Sequence, residues 1–231
     1  MRPAGDLERV RAAHEHLAAT VDSLTNAQAR RASLLPGWTV AHALTHIARN
    51  ADSHTRMFEG AARGEVWDQY PGGMDQRATD IEAGAKRPAI ELTEDVRTST
   101  ERLEAAWAAT SDDMWAAGKG RTLGGEAPLR DLVFRRWREV EVHHHDLGLT
   151  FSWRDWSQAY ALREIEASVA SLGRRLVDSP LALRSTDSDH IWTVPDSVCA
   201  VVEVRAPRRQ LAAWLLGRYE DACYPPLKAW M

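Results

Sequence analysis

The chain has 231 residues, 27% charged and 44% apolar, long enough to bury a core without disulfide or metal staples and close to the average soluble composition. Its formal charge of −4 gives no basic field for nucleic-acid phosphates, and no run approaches the roughly 18 apolar residues of a bilayer crossing. Met1 leads into a charged stretch rather than a signal-type apolar segment, and Cys199 and Cys223 are the only cysteines. The expectation is a protein of the reducing cytoplasm whose two thiols are buried hydrophobes.

Residues 6–24 carry apolar positions at Leu7, Val10, Ala13, Leu17 and Val21, the spacing of an amphipathic helix. Pro36, Gly37 and Trp38 interrupt the chain, and Thr39 is a natural N-cap for a helix to about residue 63 with Val40, Leu44, Ile47, Ala51 and Phe58 on one stripe. Pro71, Gly72 and Gly73 mark a loop. A third helical stretch starts near Asp75, breaks at Arg87-Pro88 and resumes over 92–109. Residues 118–125 read as a flexible connection. A fourth helix starts near Leu129 and turns Val133, Val140 and Leu147 inward before Gly148 ends it. Four helices with short joins imply an up-and-down bundle.

After residue 150 the texture changes. Residues 153–172 are again helical, whereas 181–194 and 198–205, bounded by Pro180, Pro195 and Pro207, read as strands, with a helix over 210–219. The expected architecture is mainly α with a smaller α+β part: a four-helix bundle over 1–150 and a small α+β domain over 151–231.

The chemical signal lies in nine histidines, six of which fall on the second and fourth helices: His42, His46 and His54, then His143, His144 and His145. On the fourth helix two carboxylate–imidazole pairs have i,i+4 spacing, Glu139 with His143 and Glu141 with His145, and either pair could hold one ion from one face. At about 100° per residue from Val140, Glu139 and His143 fall about 100° and 60° to one side, bordering the interior. Glu141 and His145 fall about 100° and 140° to the other, toward water. His144 is about 40° from the centre and is expected to be buried and hydrogen-bonded. A third ligand would come from the second helix, where the same arithmetic slightly favours His54 over His46 and turns His42 outward. Three protein ligands with a vacant position describe a catalytic metal site. An isolated Glu/His pair, however, is a common sight on solvated helix faces. His14 and His16 read as surface residues and His190 as a satisfied polar group.

The stretch Leu35-Pro36-Gly37-Trp38-Thr39-Val40-Ala41-His42-Ala43-Leu44-Thr45-His46, continuing to Asp52, together with Arg138-Glu139-Val140-Glu141-Val142-His143-His144-His145-Asp146-Leu147-Gly148, closely resembles the mycothiol-dependent maleylpyruvate isomerase family of DinB-like metal-binding bundles. Trp214-Leu215-Leu216-Gly217-Arg218 is similar to that family's second domain. The resemblance implies zinc held by His46, Glu139 and His143, and so selects His46 over His54. It also implies that an arginine of the second domain binds the thiol cofactor or the anionic substrate, Arg218 being the best match, with Arg205, Arg208 and Arg209 close by. His145 departs from the family, which usually has an apolar residue there.

In that reading zinc stabilises the mycothiol thiolate, the sulfur adds to the cis double bond of maleylpyruvate, the single bond rotates, and elimination gives fumarylpyruvate. Arg49 and Arg136 are further candidates for the substrate's carboxylates. The partners implied are a small-molecule substrate and a low-molecular-weight thiol, with no nucleic acid or membrane, in a monomer or homodimer. Two other readings use the same residues: a mycothiol S-transferase that consumes thiol stoichiometrically, and a non-catalytic module that binds thiol or metal as a signal.

Overall fold

The apolar stripe beginning at Leu7 folds as α1 (Ala4–Val21), with Leu7, Val10, Leu17 and Val21 turned inward. The computed structural model describes residues 1–172, 181–193 and 202–228, divided into two compact units, Met1–Phe151 and Ser152–Met231. After the single turn α2 (Asn26–Ala29), the first unit continues with α3 (Val40–Ala62), α4 (Gly73–Gly84) and α5 (Ala89–Ala109). The short α6 (Asp112–Ala117), the strands β1 (Lys119–Thr122) and β2 (Gly125–Pro128), and α7 (Leu129–Asp146) complete it. α3 packs on α5 and α7, and α1 on α7 and α5, closing the expected bundle around Leu44, Ile47, Leu103, Trp107, Leu132 and Val140, all fully buried.

α3 starts where it does because Thr39 caps it. The Thr39 hydroxyl accepts from the His42 backbone N–H while the Thr39 N–H donates to His42 Nδ1, a reciprocal box with histidine in place of the usual Glu or Gln. Thr39→Ala should cost about 1 kcal/mol and lower the melting temperature by about 2–4 °C. Thermal unfolding monitored by circular dichroism would show it, with Thr39→Ser restoring the value.

The structure corrects several expectations in both units. Residues 118–125 are not a flexible connection: β1 and β2 form an antiparallel hairpin with Lys119 opposite Pro128 and Thr122 opposite Gly125. The segment lacks the β-branched alternation that announces strands. Gly120 instead lets β1 approach α3, where an added Cβ would come 2.7 Å from the Met57 side chain.

His14 is no surface residue either, since it follows Leu7 by two helical turns on the same stripe and is buried. The fully buried Arg136 donates from Nε to His14 Nε2 at 3.2 Å, which puts the ring proton on Nδ1, and that nitrogen donates to Glu104 at 2.7 Å. Burial first, then the nearby Arg136 charge, holds the His14 pKa down at about 4 against the hydrogen bond to Glu104. Arg136 also donates to the Ile47 carbonyl and Asn50 Oδ1, and so joins α1, α3 and α7. That role overturns the expectation that it meets substrate carboxylates: its charge is sealed in the core.

In the second unit a 3₁₀ turn (Trp153–Asp155) precedes α8 (Gln158–Leu172), β3 (Leu181–Ser185), β4 (Ile191–Thr193), β5 (Val202–Ala206) and α9 (Arg208–Leu215). The sheet order is β4-β3-β5, with β3 antiparallel to β4 and parallel to β5. Burial alternates along β3, as one packed face requires. α9 stops short of residue 219 because Gly217 takes φ 69°, the left-handed conformation that ends helices. Cys223 is exposed, so the expectation of a buried thiol fails there: it lies beyond α9 in a turn rather than on a packed stripe. Cys199, Pro180 and Pro195 lie outside the described residues. No described helix is long and apolar enough to cross a membrane.

Candidate metal centre

α3 and α7 run side by side, and each presents imidazole or carboxylate to the other. His46 Nε2 lies 3.0 Å from Glu139 Oε2, and His143 Nε2 lies 3.5 Å from the same oxygen. The two rings meet edge to face with centroids 4.6 Å apart. One ligand atom from each of His46, Glu139 and His143 can be chosen so that all three lie within 4.8 Å of one another. His46 and His54 are both buried, so azimuth alone could not choose between them. Height does: His54 is eight residues farther on, about 12 Å along the axis, and is not part of the cluster.

The neighbours of the three side chains fix their orientation. His143 Nδ1 is 2.9 Å from Asp146 Oδ2, an arrangement that leaves Nε2 facing Glu139. A carboxylate behind a ligating histidine is the usual outer support of metal sites. Trp38 meets the His46 ring at an angle with centroids 5.7 Å apart. Arg77, on α4, donates from Nη2 to His46 Nδ1 at 3.0 Å.

The electrostatics follow. Burial lowers the His46 pKa to about 4, against the hydrogen bond to Glu139. Burial also disfavours a charged His143, but hydrogen bonds to Asp146 and Glu139 outweigh it and raise that pKa to about 8. Burial would raise Glu139 as well, and the hydrogen bonds from His143 and His46 instead hold its carboxyl well below the ordinary range. Without a cation, the cluster thus keeps a proton on His143 between two carboxylates.

Two imidazole nitrogens and one carboxylate oxygen are the donor set of a catalytic zinc site, and the ligand spacing and the Asp146 support fit a divalent metal. Asp146→Asn should weaken zinc binding by about 10–100-fold, read by competition with a chromophoric chelator, while the fold persists.

The second pair on α7 is corrected. Glu141 does not face water: it is buried, accepts from Trp137 Nε1 at 3.1 Å, and burial pushes its pKa up to about 7. The Val140-centred wheel misjudged it because α7 is covered on more than one side: Val142, about 160° round from Val140, is buried too. His144 is buried as expected, its Nε2 2.8 Å from Thr20 Oγ1 and its ring stacked on Phe151. His42 serves the α3 cap and reaches Glu82 at 3.4 Å.

Among the arginines, Arg49 is already ion-paired with Asp52 and Asp95, which removes it as a ready partner for substrate carboxylates. Arg77 was not legible: α4 carries no motif, and only the packing of α4 on α3 brings it to His46. Arg218 and Arg205 belong to the second unit. There Arg218 donates to the Leu216 carbonyl at 2.8 Å, and Arg205 pairs with Glu203 at 2.7 Å.

Residues 10–148 match the family model of the mycothiol maleylpyruvate isomerase N-terminal domain. No curated protein matches the chain. Two solved structures do. The crystal structure of the mycothiol-dependent maleylpyruvate isomerase is 23% identical with a TM-score of 0.88, over 100% of this chain and 98% of that one. A histidine-to-alanine mutant of that enzyme is 23% identical with a TM-score of 0.87 over the same shares. At that identity the likeness is one of fold: a helical bundle followed by a smaller α+β part.

Proposed function

The chain belongs to the mycothiol maleylpyruvate isomerase N-terminal domain family, and on that premise we propose that it is a zinc- and mycothiol-dependent enzyme converting maleylpyruvate from the cis to the trans isomer. The observation that carries this reading is the convergence of His46, Glu139 and His143 from two helices onto one point, with Asp146 behind.

These three side chains would hold the metal and leave further positions for an exchangeable ligand. When bound, a divalent cation there supplies Lewis acidity that favours the ionised form of a thiol, whose unperturbed pKa is about 8.5. The substrate isomerises by reversible thiol addition: its double bond becomes a single bond, rotates, and is restored as trans when the thiol is eliminated. Glu139 is already a carboxylate at neutral pH. His143 must release the Nε2 proton that its pKa of about 8 retains, so metal loading strengthens as pH rises toward that value. Asp146 accepts from Nδ1 throughout and keeps the ring in place. Arg218, with Arg205 as the alternative, is proposed to hold the thiol or the anionic substrate, since a guanidinium fork matches a carboxylate. The reading goes with a reducing cytoplasm, where free thiols persist.

The test is turnover of maleylpyruvate by protein carrying about one zinc per chain, at mycothiol concentrations far below the substrate. Product accumulating beyond the thiol supplied supports isomerisation. A stable thioether formed one-for-one with thiol overturns it in favour of S-transfer, and turnover indifferent to thiol or chelator overturns the cofactor assignment.

A further inference from the structure

A guanidinium has no lone pair, so the 3.0 Å contact between Arg77 and His46 Nδ1 has one sense: Arg77 donates and Nδ1 accepts. The neutral His46 ring then carries its proton on Nε2, where it donates to Glu139 at 3.0 Å. A neutral imidazole that ligates a metal through Nε2 has the opposite arrangement, with the proton on Nδ1. Arg77 would then meet an N–H with an N–H. The Arg77 contact and metal ligation by His46 Nε2 are mutually exclusive hydrogen-bonding states of one ring.

Arg77 also differs from the other arginines around α3 and α5. Arg49, Arg87 and Arg102 are each ion-paired with Asp52 or Asp95. Among the described residues no carboxylate lies within ion-pair range of Arg77, whose partners are the neutral His46 ring and the face of Tyr70 at 5.9 Å. The helix that carries it is lightly anchored. Ile81 is the one buried residue of α4, and the helix is entered through Gly73 at φ 69°.

We infer that Arg77 leaves His46 when the metal binds and becomes the group that recognises a carboxylate of the incoming substrate. The inference rests on the metal-dependent reading above and deepens it. Arg77 couples two events: its release is the consequence of metal loading, and the freed cation sits beside the ligand that the metal uses. Arginine suits this role because its planar fork can bond both oxygens of a carboxylate, which lysine cannot.

The experiment is calorimetric and needs no turnover. Zinc is titrated into wild type, Arg77→Met and Arg77→Lys, and maleate is then titrated into each zinc-loaded protein. Zinc affinity in Arg77→Met is expected to equal or exceed that of wild type, because the competing contact to Nδ1 is gone. Maleate should bind Arg77→Met about tenfold or more weakly than wild type, the scale of one lost charge-assisted pair, with Arg77→Lys in between.

Weaker zinc binding in Arg77→Met overturns the inference, since Arg77 would then be a support for His46. Maleate binding that is equal in both proteins, or absent from zinc-loaded wild type, overturns it too. A wild type that binds maleate through Arg77 but does not isomerise maleylpyruvate keeps this inference and sinks the isomerase reading. Isomerisation by wild type with Arg77-independent maleate binding does the reverse, and failure to bind zinc at all overturns both.

Discussion

His46→Ala, Glu139→Gln and His143→Ala are each expected to leave a folded protein whose zinc affinity and thiol-dependent turnover fall by more than about a hundredfold. The scale comes from outer-shell partners, whose loss costs 10–100-fold; removing a donor atom itself must cost more. Folding should survive, because the bundle core at Leu44, Leu132 and Val140 is fully buried and does not rely on the three polar side chains. On the proposed zinc reading, zinc at about 100 times its dissociation constant would stabilise wild type by about 2.7 kcal/mol, a rise of roughly 5–10 °C in melting temperature for a chain of this size. The three variants should show almost none of that rise. Elemental analysis and paired melts with and without zinc decide the matter: full metal content and turnover in any one of the three would remove that residue from the site.

The large elements were legible because they rest on periodic burial. The stripes of α1, α3 and α7 predict the bundle, and Thr39 and Gly148 mark where α3 begins and α7 ends. What was not legible required height, depth or contact between elements. A helical wheel gives azimuth, which slightly favours His54; the family resemblance selects His46, and the pairing of α3 with α7, which sets the heights, puts His46 in the cluster. The same wheel sent Glu141 to solvent because it assumes a single covered face. His14 was read as polar, hence exposed, although it stands on the α1 stripe, because nothing local announces that Arg136 and Glu104 will be there to satisfy it. Arg77 and the β1–β2 hairpin are tertiary in origin: one needs α4 laid against α3, the other the close approach of Gly120 to Met57.

Lowering the pH from 7 to 5 should cost the protein about 4 kcal/mol of stability through two buried imidazoles outside the metal cluster. Burial holds His54 at about 3 and His14 at about 4, each lowered further by the buried Arg136 charge. In the unfolded chain both return to the ordinary value near 6.5. Between 4 and 6.5 the unfolded state therefore binds more protons, and stability falls as pH falls; the contribution is complete above 6.5 and lost progressively toward the folded values. At pH 5 each group has lost about 1.5 of its pKa difference, or about 2 kcal/mol, a serious fraction of the 5–15 kcal/mol that domains hold. In the metal-free protein three further groups shift over the same interval: His46, held at about 4, costs about 2 kcal/mol more, while His143, raised to about 8, and Glu141, raised to about 7, return about 1 and about 2 kcal/mol. His54 isolates the effect because its Nδ1 has no hydrogen-bond partner among the described residues: His54→Leu should change stability at pH 7 by less than about 1 kcal/mol while removing about 2 kcal/mol of the difference between pH 7 and pH 5. Urea midpoints for wild type and variant at both pH values give the comparison. An unchanged difference in His54→Leu would mean that the His54 ring is already charged or solvated in the native state, and that the acid sensitivity arises elsewhere.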